Sequence, residues 1–103
     1  MNIAKMMKQA QQMQAKMQQI QEDLAQRTYE ASAGGGAVKA IAAGDGELKS
    51  LTISPDLIKD AASDPEMLQD LVLTAVREAS SKAKADAAAE MGKVTAGMGL
   101  PGF

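Results

Sequence analysis

Three lysines near the start of the chain are the side chains best placed to bind a ligand. Lys5, Lys8 and Lys16 precede the first acidic residue, Glu22. If this segment is helical, with 100° between successive residues, the three lysines fall within an arc of roughly 80° on one flank. Lys5 and Lys16 are then about 16 Å apart along the helix axis. Ammonium groups in this arrangement can contact phosphate oxygens.

The same flank has a simpler interpretation, which the residues alone favour. Gln9, Gln12 and Gln19 lie beside or between the lysines, and such a face is also typical of a solvated coiled-coil surface. No aromatic or arginine cluster interleaves with the lysines. Binding on this basis would be electrostatic and sensitive to salt, with little direct reading of base sequence.

Other kinds of chemistry are largely excluded by composition. The 103 residues include no His and no Cys, so the chain has no imidazole base, no thiolate nucleophile and no zinc site of the usual kind. Asp45 with Glu47, and Asp60 with Asp64, match no calcium-loop pattern and are interpreted as solvated turn carboxylates. We therefore predict a protein that is not an enzyme and has no small-molecule substrate.

Two further motifs could suggest a cofactor. The thioethers of the first helix could hold Cu(I), but methionine is also a pliable residue for a helix seam, which is the preferred interpretation. Gly34, Gly35 and Gly36 lack the following Lys-Ser/Thr of a phosphate-binding loop and do not open a helix, so we predict a strand connection with positive φ. No metal and no cofactor are expected.

Charge is distributed unevenly along the chain. Eleven basic and 13 acidic residues give a net charge of −2, yet residues 1–27 carry Lys5, Lys8, Lys16 and Arg27 against two acids. The N-terminus lacks the apolar stretch of a signal peptide, and no apolar run is long enough to span a bilayer. We predict a cytoplasmic protein, without a membrane partner, that has a basic helical rod on an acidic body.

The first 27 residues are predicted to form the helix that positions the lysines. No Gly or Pro interrupts residues 1–27, and a helix over residues 1–24 is roughly 36 Å long. It would overhang a body of this size, so a second copy is the expected cover for its seam, and we predict a homodimer. The apolar seam repeats at alternating spacings of three and four, at Ile3, Met6, Ala10, Met13, Met17, Ile20 and Leu24.

The remaining chain completes a single α+β domain over residues 1–103. Loose alternation and short connections predict a three-stranded antiparallel sheet in residues 28–53. Residues 54–90 are predicted to be helical: a short turn opened by Ser54 and Pro55, then an amphipathic C-terminal helix started by a capping box between Ser63 and Glu66. The glycines that follow predict a flexible tail over residues 91–103.

Five segments together resemble the YbaB/EbfC family of bacterial nucleoid-associated proteins. Each segment is ordinary alone, but all five occur in the same order over essentially the whole chain. They are residues 6–17, the Gly-rich break before 38–39, residues 53–57, residues 65–71 and residues 97–103.

The resemblance implies a homodimer formed through the sheet region, with projecting helices that bind duplex DNA and alter its conformation in the nucleoid, with a part in gene expression. It assigns DNA contacts to Lys5, Lys8 and Lys16. Arg27, at the base of the same helix, is a further candidate DNA contact. Family members often carry more basic residues where this chain has residues 47–50 and 79–82, so weak or moderate, largely sequence-independent binding is expected. The alternative is a protein-interaction adaptor whose Met-rich seam docks an amphipathic helix.

Overall fold

The computed structural model of the chain describes residues 2–97 and has the predicted α+β architecture: a long N-terminal helix, a three-stranded antiparallel sheet and a C-terminal helix. Its extents are 70 × 23 × 16 Å, so the molecule is elongated. We call its first long helix the rod and the remainder the body. The elements are α1 (Ile3–Gln26), β1 (Thr28–Ala33), β2 (Val38–Ala43), β3 (Leu48–Ile53), α2 (Pro55–Asp60) and α3 (Pro65–Gly97).

The sheet is the predicted meander, in the order β1-β2-β3 with antiparallel pairing throughout. The β1–β2 connection carries the three glycines with φ of 64°, 67° and 93° at Gly34, Gly35 and Gly36. Residues with a Cβ rarely adopt such angles, so the interpretation of the triple glycine as a strand connection is confirmed.

Small side chains let α3 lie close against the sheet. Ala75, Ala79 and Ala83 line one face of α3 and are essentially fully buried. They pack on Ala40 and Val38 of β2 and their neighbours on β1. Because the facing residues are mostly alanines, little bulk separates helix and sheet, and α3 is held across β1 and β2.

Both helix starts after the sheet use a cap followed by proline. The Ser54 hydroxyl accepts a hydrogen bond from the Leu57 N–H at 3.2 Å, with Pro55 in the first turn, as predicted. At α3 the cap is Asp64, whose Oδ1 accepts from the Met67 N–H at 3.2 Å. The predicted capping box from Ser63 is therefore wrong by one residue: α3 begins at Pro65, which makes the preceding carboxylate the cap.

The C-terminal helix is longer than predicted. α3 continues through residues 91–97 to Gly97, where a flexible tail was predicted to begin. The physical reason is packing: Val94 is buried and lines an apolar cavity with Met13 and Met17 of α1. That contact offsets the low helix propensity of Gly92. The remainder of the predicted tail, residues 98–103, lies outside the described residues.

Gly44 joins the base of α1 to the sheet. Its N–H donates to the Leu24 carbonyl at 2.9 Å and to the Arg27 carbonyl at 3.2 Å. A Cβ at position 44 would lie 2.5 Å from the Leu24 carbonyl oxygen, a distance that backbone atoms do not tolerate. The end of α1 is therefore fixed against the start of the β2–β3 turn.

Gly44→Ala is expected to lower the free energy of unfolding by about 1–3 kcal/mol, because the added methyl group must push backbone apart. Gly92→Ala is the matched control: it lies in α3 with open space around its Cβ position and should stabilise the protein by about 0.5–1 kcal/mol. Urea unfolding followed by circular dichroism measures both. Equal effects of the two substitutions would contradict the close approach at Gly44.

Candidate nucleic-acid interface

The predicted lysine flank is solvent-exposed on α1. Lys5, Lys8 and Lys16 are all exposed, and α1 is a continuous helix over the whole segment that carries them. Within residues 2–97, no carboxylate lies within ion-pairing distance of these three ammonium groups. The flank is therefore a row of solvated cations that a polyanion can contact without breaking an internal ion pair.

The seam of α1 is divided between two environments. Leu24 is buried, and Met13, Met17 and Ile20 are partly buried. Met13 and Met17 face Val94 and Thr95 of α3 across a shared cavity. For this half, α3 of the same chain provides the cover that was predicted to come from a second copy, because α3 is long enough to run back along α1.

The outer half of the seam is uncovered by the described residues. Ile3 is 67% exposed and Met6 is 53% exposed, with the neighbouring Met7 also exposed. This end of α1 is the tip of the rod. It combines an apolar stripe with the basic flank that begins at Lys5 and Lys8.

Arg27 lies apart from the three lysines and is engaged within the chain. Its Nη1 donates to Asp86 Oδ2 at 3.0 Å and to Glu90 Oε1 at 3.3 Å, both on α3. The Tyr29 hydroxyl donates to the same Asp86 oxygen, and Lys93 Nζ donates to Glu90 at 3.2 Å. We call these five side chains the base cluster. They join the end of α1 and the start of β1 to the C-terminal half of α3.

The donors of the base cluster favour the charged form of its two carboxylates, as the lowered pKa values of Asp86 and Glu90 indicate. The Tyr29 hydroxyl, and then the Arg27 guanidinium, lower the pKa of Asp86. Lys93, and then Arg27, lower the pKa of Glu90. The hydrogen bonds that Arg27 donates to Asp86 and Glu90 raise the pKa of Arg27, while partial burial and then the hydrogen bond to Asp86 raise the pKa of Tyr29. At neutral pH the carboxylates are charged, and the cluster is fully formed.

Acid should weaken the base cluster. Folding lowers the pKa of Asp86 and of Glu90 from their ordinary values of 3.8 and 4.5. The two carboxylates therefore stabilise the folded protein at pH values above these ordinary values, and this stabilisation is lost as the pH falls through the lower pKa values of the folded state. We expect the thermal midpoint of the wild type to fall more steeply below pH 4.5 than that of Asp86→Asn with Glu90→Gln. Differential scanning fluorimetry from pH 7 down to about pH 3 measures this; parallel curves for the two proteins would contradict it.

A second exposed surface lies at the β3 edge of the sheet, next to α3. Cross-strand pairing places Leu51 opposite Ala40 and Ile53 opposite Val38, so Leu51 and Ile53 point to the α3 side of the sheet. α3 covers β1 and β2, and leaves Leu51 40% exposed at the edge strand.

The neighbouring flank of α3 extends this apolar surface. Leu68, Val72, Leu73 and Val76 line an open and almost wholly apolar groove on α3. At 100° per residue, Leu73 and Val76 lie on the other side of the buried face of α3 from Lys82, which donates to the Glu30 carbonyl of β1. The groove is therefore expected on the β3 side of α3. We call the combined surface of Leu48, Leu51 and this groove the β3 face.

Residues 2–97 present no cluster of three or more acidic or other ligand residues that could hold a metal ion. None of the helices described there is long and apolar enough to cross a membrane. What the fold displays is a small sheet-and-helix body from which α1 projects with a basic flank, its inner half packed against the end of α3. Fold and surface together define a small α+β protein with a basic helical arm.

The chain belongs to the YbaB/EbfC DNA-binding family, whose model matches residues 1–98. It is 52% identical to a nucleoid-associated protein of Thermoanaerobacter pseudethanolicus over 102 residues, which cover 99% of this chain and 90% of the relative. It is 48% identical to a nucleoid-associated protein of Pelotomaculum thermopropionicum, over 99% of this chain and 95% of the relative. The predicted resemblance is thereby confirmed.

The fold also matches a solved structure. An uncharacterized protein from Helicobacter pylori superposes with a TM-score of 0.75 at 22% identity, over 84% of this chain and 88% of the other. At this identity the likeness concerns the fold alone. It agrees with the order of helix, three strands and helix described above.

Proposed function

We propose that this chain binds duplex DNA as a homodimer, mainly through phosphate contacts from Lys5, Lys8 and Lys16. The observation that carries the proposal is the lysine flank. Its three exposed cations form no ion pair with any carboxylate of residues 2–97, and they lie on a helix that projects from the body. Membership of a family described as DNA-binding supports the same conclusion. Because Arg27 is held by two carboxylates, the proposed phosphate contacts rest on the three lysines.

The physical basis of binding is charge. Duplex DNA carries a dense row of phosphates, and each ammonium group that neutralises one releases a condensed counterion. A helix flank of lysines and glutamines holds no pair of arginines to read guanine in the major groove, so binding depends little on sequence. The acidic body, with an overall charge of −2 for the chain, limits the affinity and keeps the contact on the rod.

The homodimer is proposed to form through the β3 face. Leu51 at the edge strand and Leu73 on the neighbouring flank of α3 are both at least 40% exposed. Edge strands present unpaired N–H and C=O groups, and an exposed apolar surface next to such an edge favours association. A second copy of the chain would cover both the unpaired backbone groups of β3 and the apolar side chains beside them. Two-fold symmetry then places the two α1 rods in one dimer.

Two rods in one dimer can contact a duplex at two places. Phosphate contacts at separated places favour bent or bridged DNA over straight DNA, because more contacts form in the deformed state. We propose that this is how the protein alters DNA conformation in the nucleoid and thereby influences gene expression. No bond in the DNA is made or broken in this activity.

The exposed tip of α1 supports a second candidate, a protein-interaction adaptor. Ile3, Met6 and Met7 form an uncovered apolar end to the seam within the described residues, and such a stripe can dock an amphipathic partner helix. Salt distinguishes the two functions. DNA binding, measured by fluorescence anisotropy, should weaken steeply as salt rises, whereas docking on an apolar stripe should be nearly indifferent to salt.

A further inference from the structure

We propose that the base cluster is a latch that fixes the direction of α1, with Asp86 as the residue that positions the DNA-binding rod. The inference rests on the proposed function for its binding readout, but the direction of the rod can be measured without DNA. Asp86 touches no phosphate in this account: it acts through Arg27 and Tyr29.

The hydrogen bond from Gly44 to Leu24 and the packing of Met13 and Met17 against α3 already hold α1 to the body. The base cluster adds the side-chain restraint at the joint itself. α1 ends at Gln26, and Arg27 is already in an extended conformation (φ −79°, ψ 144°) that leads directly into β1. A single residue therefore joins rod and sheet. A small rotation there displaces the tip of a helix roughly 36 Å long by several ångströms.

Asp86 is the point at which the two sides of this joint meet. Its Oδ2 accepts a hydrogen bond from Arg27, the single residue between α1 and β1, and another from Tyr29, the second residue of β1. One carboxylate oxygen on α3 thus restrains both the joint and the start of β1. Glu90, one helical turn later, holds the same guanidinium at 3.3 Å and adds a second restraint on the rod side.

The direction in which Asp86→Asn changes DNA affinity distinguishes a positioning role from a simple effect of charge. Asp86→Asn removes a negative charge, and this change alone should strengthen binding to a polyanion. If Asp86 positions the rod, the same substitution weakens DNA binding, because α1 then samples more directions and must be ordered on binding. We expect an affinity about three- to tenfold lower, with the salt dependence unchanged because the lysines still make the contacts.

Asp70→Asn is the matched control. Asp70 lies exposed on the same helix, and its side chain has no hydrogen bond or ion pair with the rest of residues 2–97. It undergoes the same change of charge, and its DNA affinity should be equal to or slightly higher than that of the wild type.

Charge reversal distinguishes positioning from a direct contact of Arg27 with DNA. Arg27→Asp alone should weaken binding, and Arg27→Asp combined with Asp86→Arg restores the ion pair with reversed direction. Recovery of affinity in the double variant is expected if the pair acts as a latch. If Arg27 itself contacts phosphate, position 27 stays acidic and binding stays weak.

Direction of the rod is measured separately. The chain has no Cys, so a single pair of spin labels at Gln9→Cys and Ser81→Cys reports the distance from rod to body. Asp86→Asn should broaden this distance distribution and Asp70→Asn should not. Unchanged distances and unchanged affinity in Asp86→Asn would overturn the latch, even if the wild type binds DNA well. Broadened distances in a protein that fails to bind DNA would instead support the latch and contradict the proposed function.

Discussion

Replacing Lys5, Lys8 and Lys16 together by Glu is expected to abolish DNA binding under near-physiological conditions. The substitution turns the exposed flank of α1 from three positive charges to three negative ones in each protomer. Attraction to phosphate becomes repulsion, and a loss of affinity of at least about 100-fold is expected. The helix itself should persist, because lysine and glutamate have similar helix propensities. A mobility shift on duplex DNA, with circular dichroism of the variant, measures both expectations.

The control for this variant changes the same number of charges elsewhere. Lys39 on β2, Lys59 on α2 and Lys84 on α3 are exposed and lie off the rod. Their joint replacement by Glu alters net charge identically, so it should weaken binding much less. Equal losses in the two triple variants would mean that net charge, and not the flank of α1, governs binding. An unchanged shift in the α1 variant would remove these lysines from the interface.

Leu51→Asp is expected to convert the dimer into a monomer. Its side chain lies in the β3 face and is 40% exposed at the edge strand, where the proposed dimer would bury a carboxylate without a partner. Burial of such a charge is costly enough to prevent association. Each chain has a mass of 10.7 kDa, so light scattering should report twice that value for the wild type and a single chain for the variant. DNA binding should fall with it, because one rod makes half of the contacts.

Thr52→Asp tests whether this effect belongs to the β3 face. Thr52 is the next residue of the same strand and points to the other side of the sheet, opposite Lys39. Thr52→Asp introduces the same carboxylate into the same edge strand and should leave the dimer intact. A dimeric mass for Leu51→Asp would place the interface elsewhere. Dissociation by both variants would contradict an interface specific to the apolar side of β3.

Much of the architecture could be predicted because local patterns determine it. The seven-residue repeat from Ile3 to Leu24 predicts a long helix, and the run from Gly34 to Gly36 predicts a turn. The Ser54-Pro55 start of α2 was likewise predicted correctly, since cap and proline act within one turn. These signals depend only on residues close together in the chain.

The parts that sequence reasoning missed depend on contacts between distant elements. The packing of Val94 against Met13 and Met17 of α1 extends α3 beyond residue 90. The glycines after residue 90 had instead predicted that the helix ends there. Tyr29, Asp86 and Glu90 were not singled out, although Asp86 and Glu90 are spaced one turn apart on one face of α3. Only the fold shows that this face meets Arg27 about 60 residues earlier in the chain.

The most direct test of DNA binding through the rod is the salt dependence of affinity for one duplex, compared between the wild type and a variant with Lys5, Lys8 and Lys16 changed to Gln. If all six lysines of a dimer contact phosphates, the logarithm of the binding constant should fall with the logarithm of salt concentration with a slope of about −5. The variant should bind weakly, with a much shallower slope. Equal slopes for the two proteins, or a wild-type slope near zero, would contradict phosphate binding by the lysine flank.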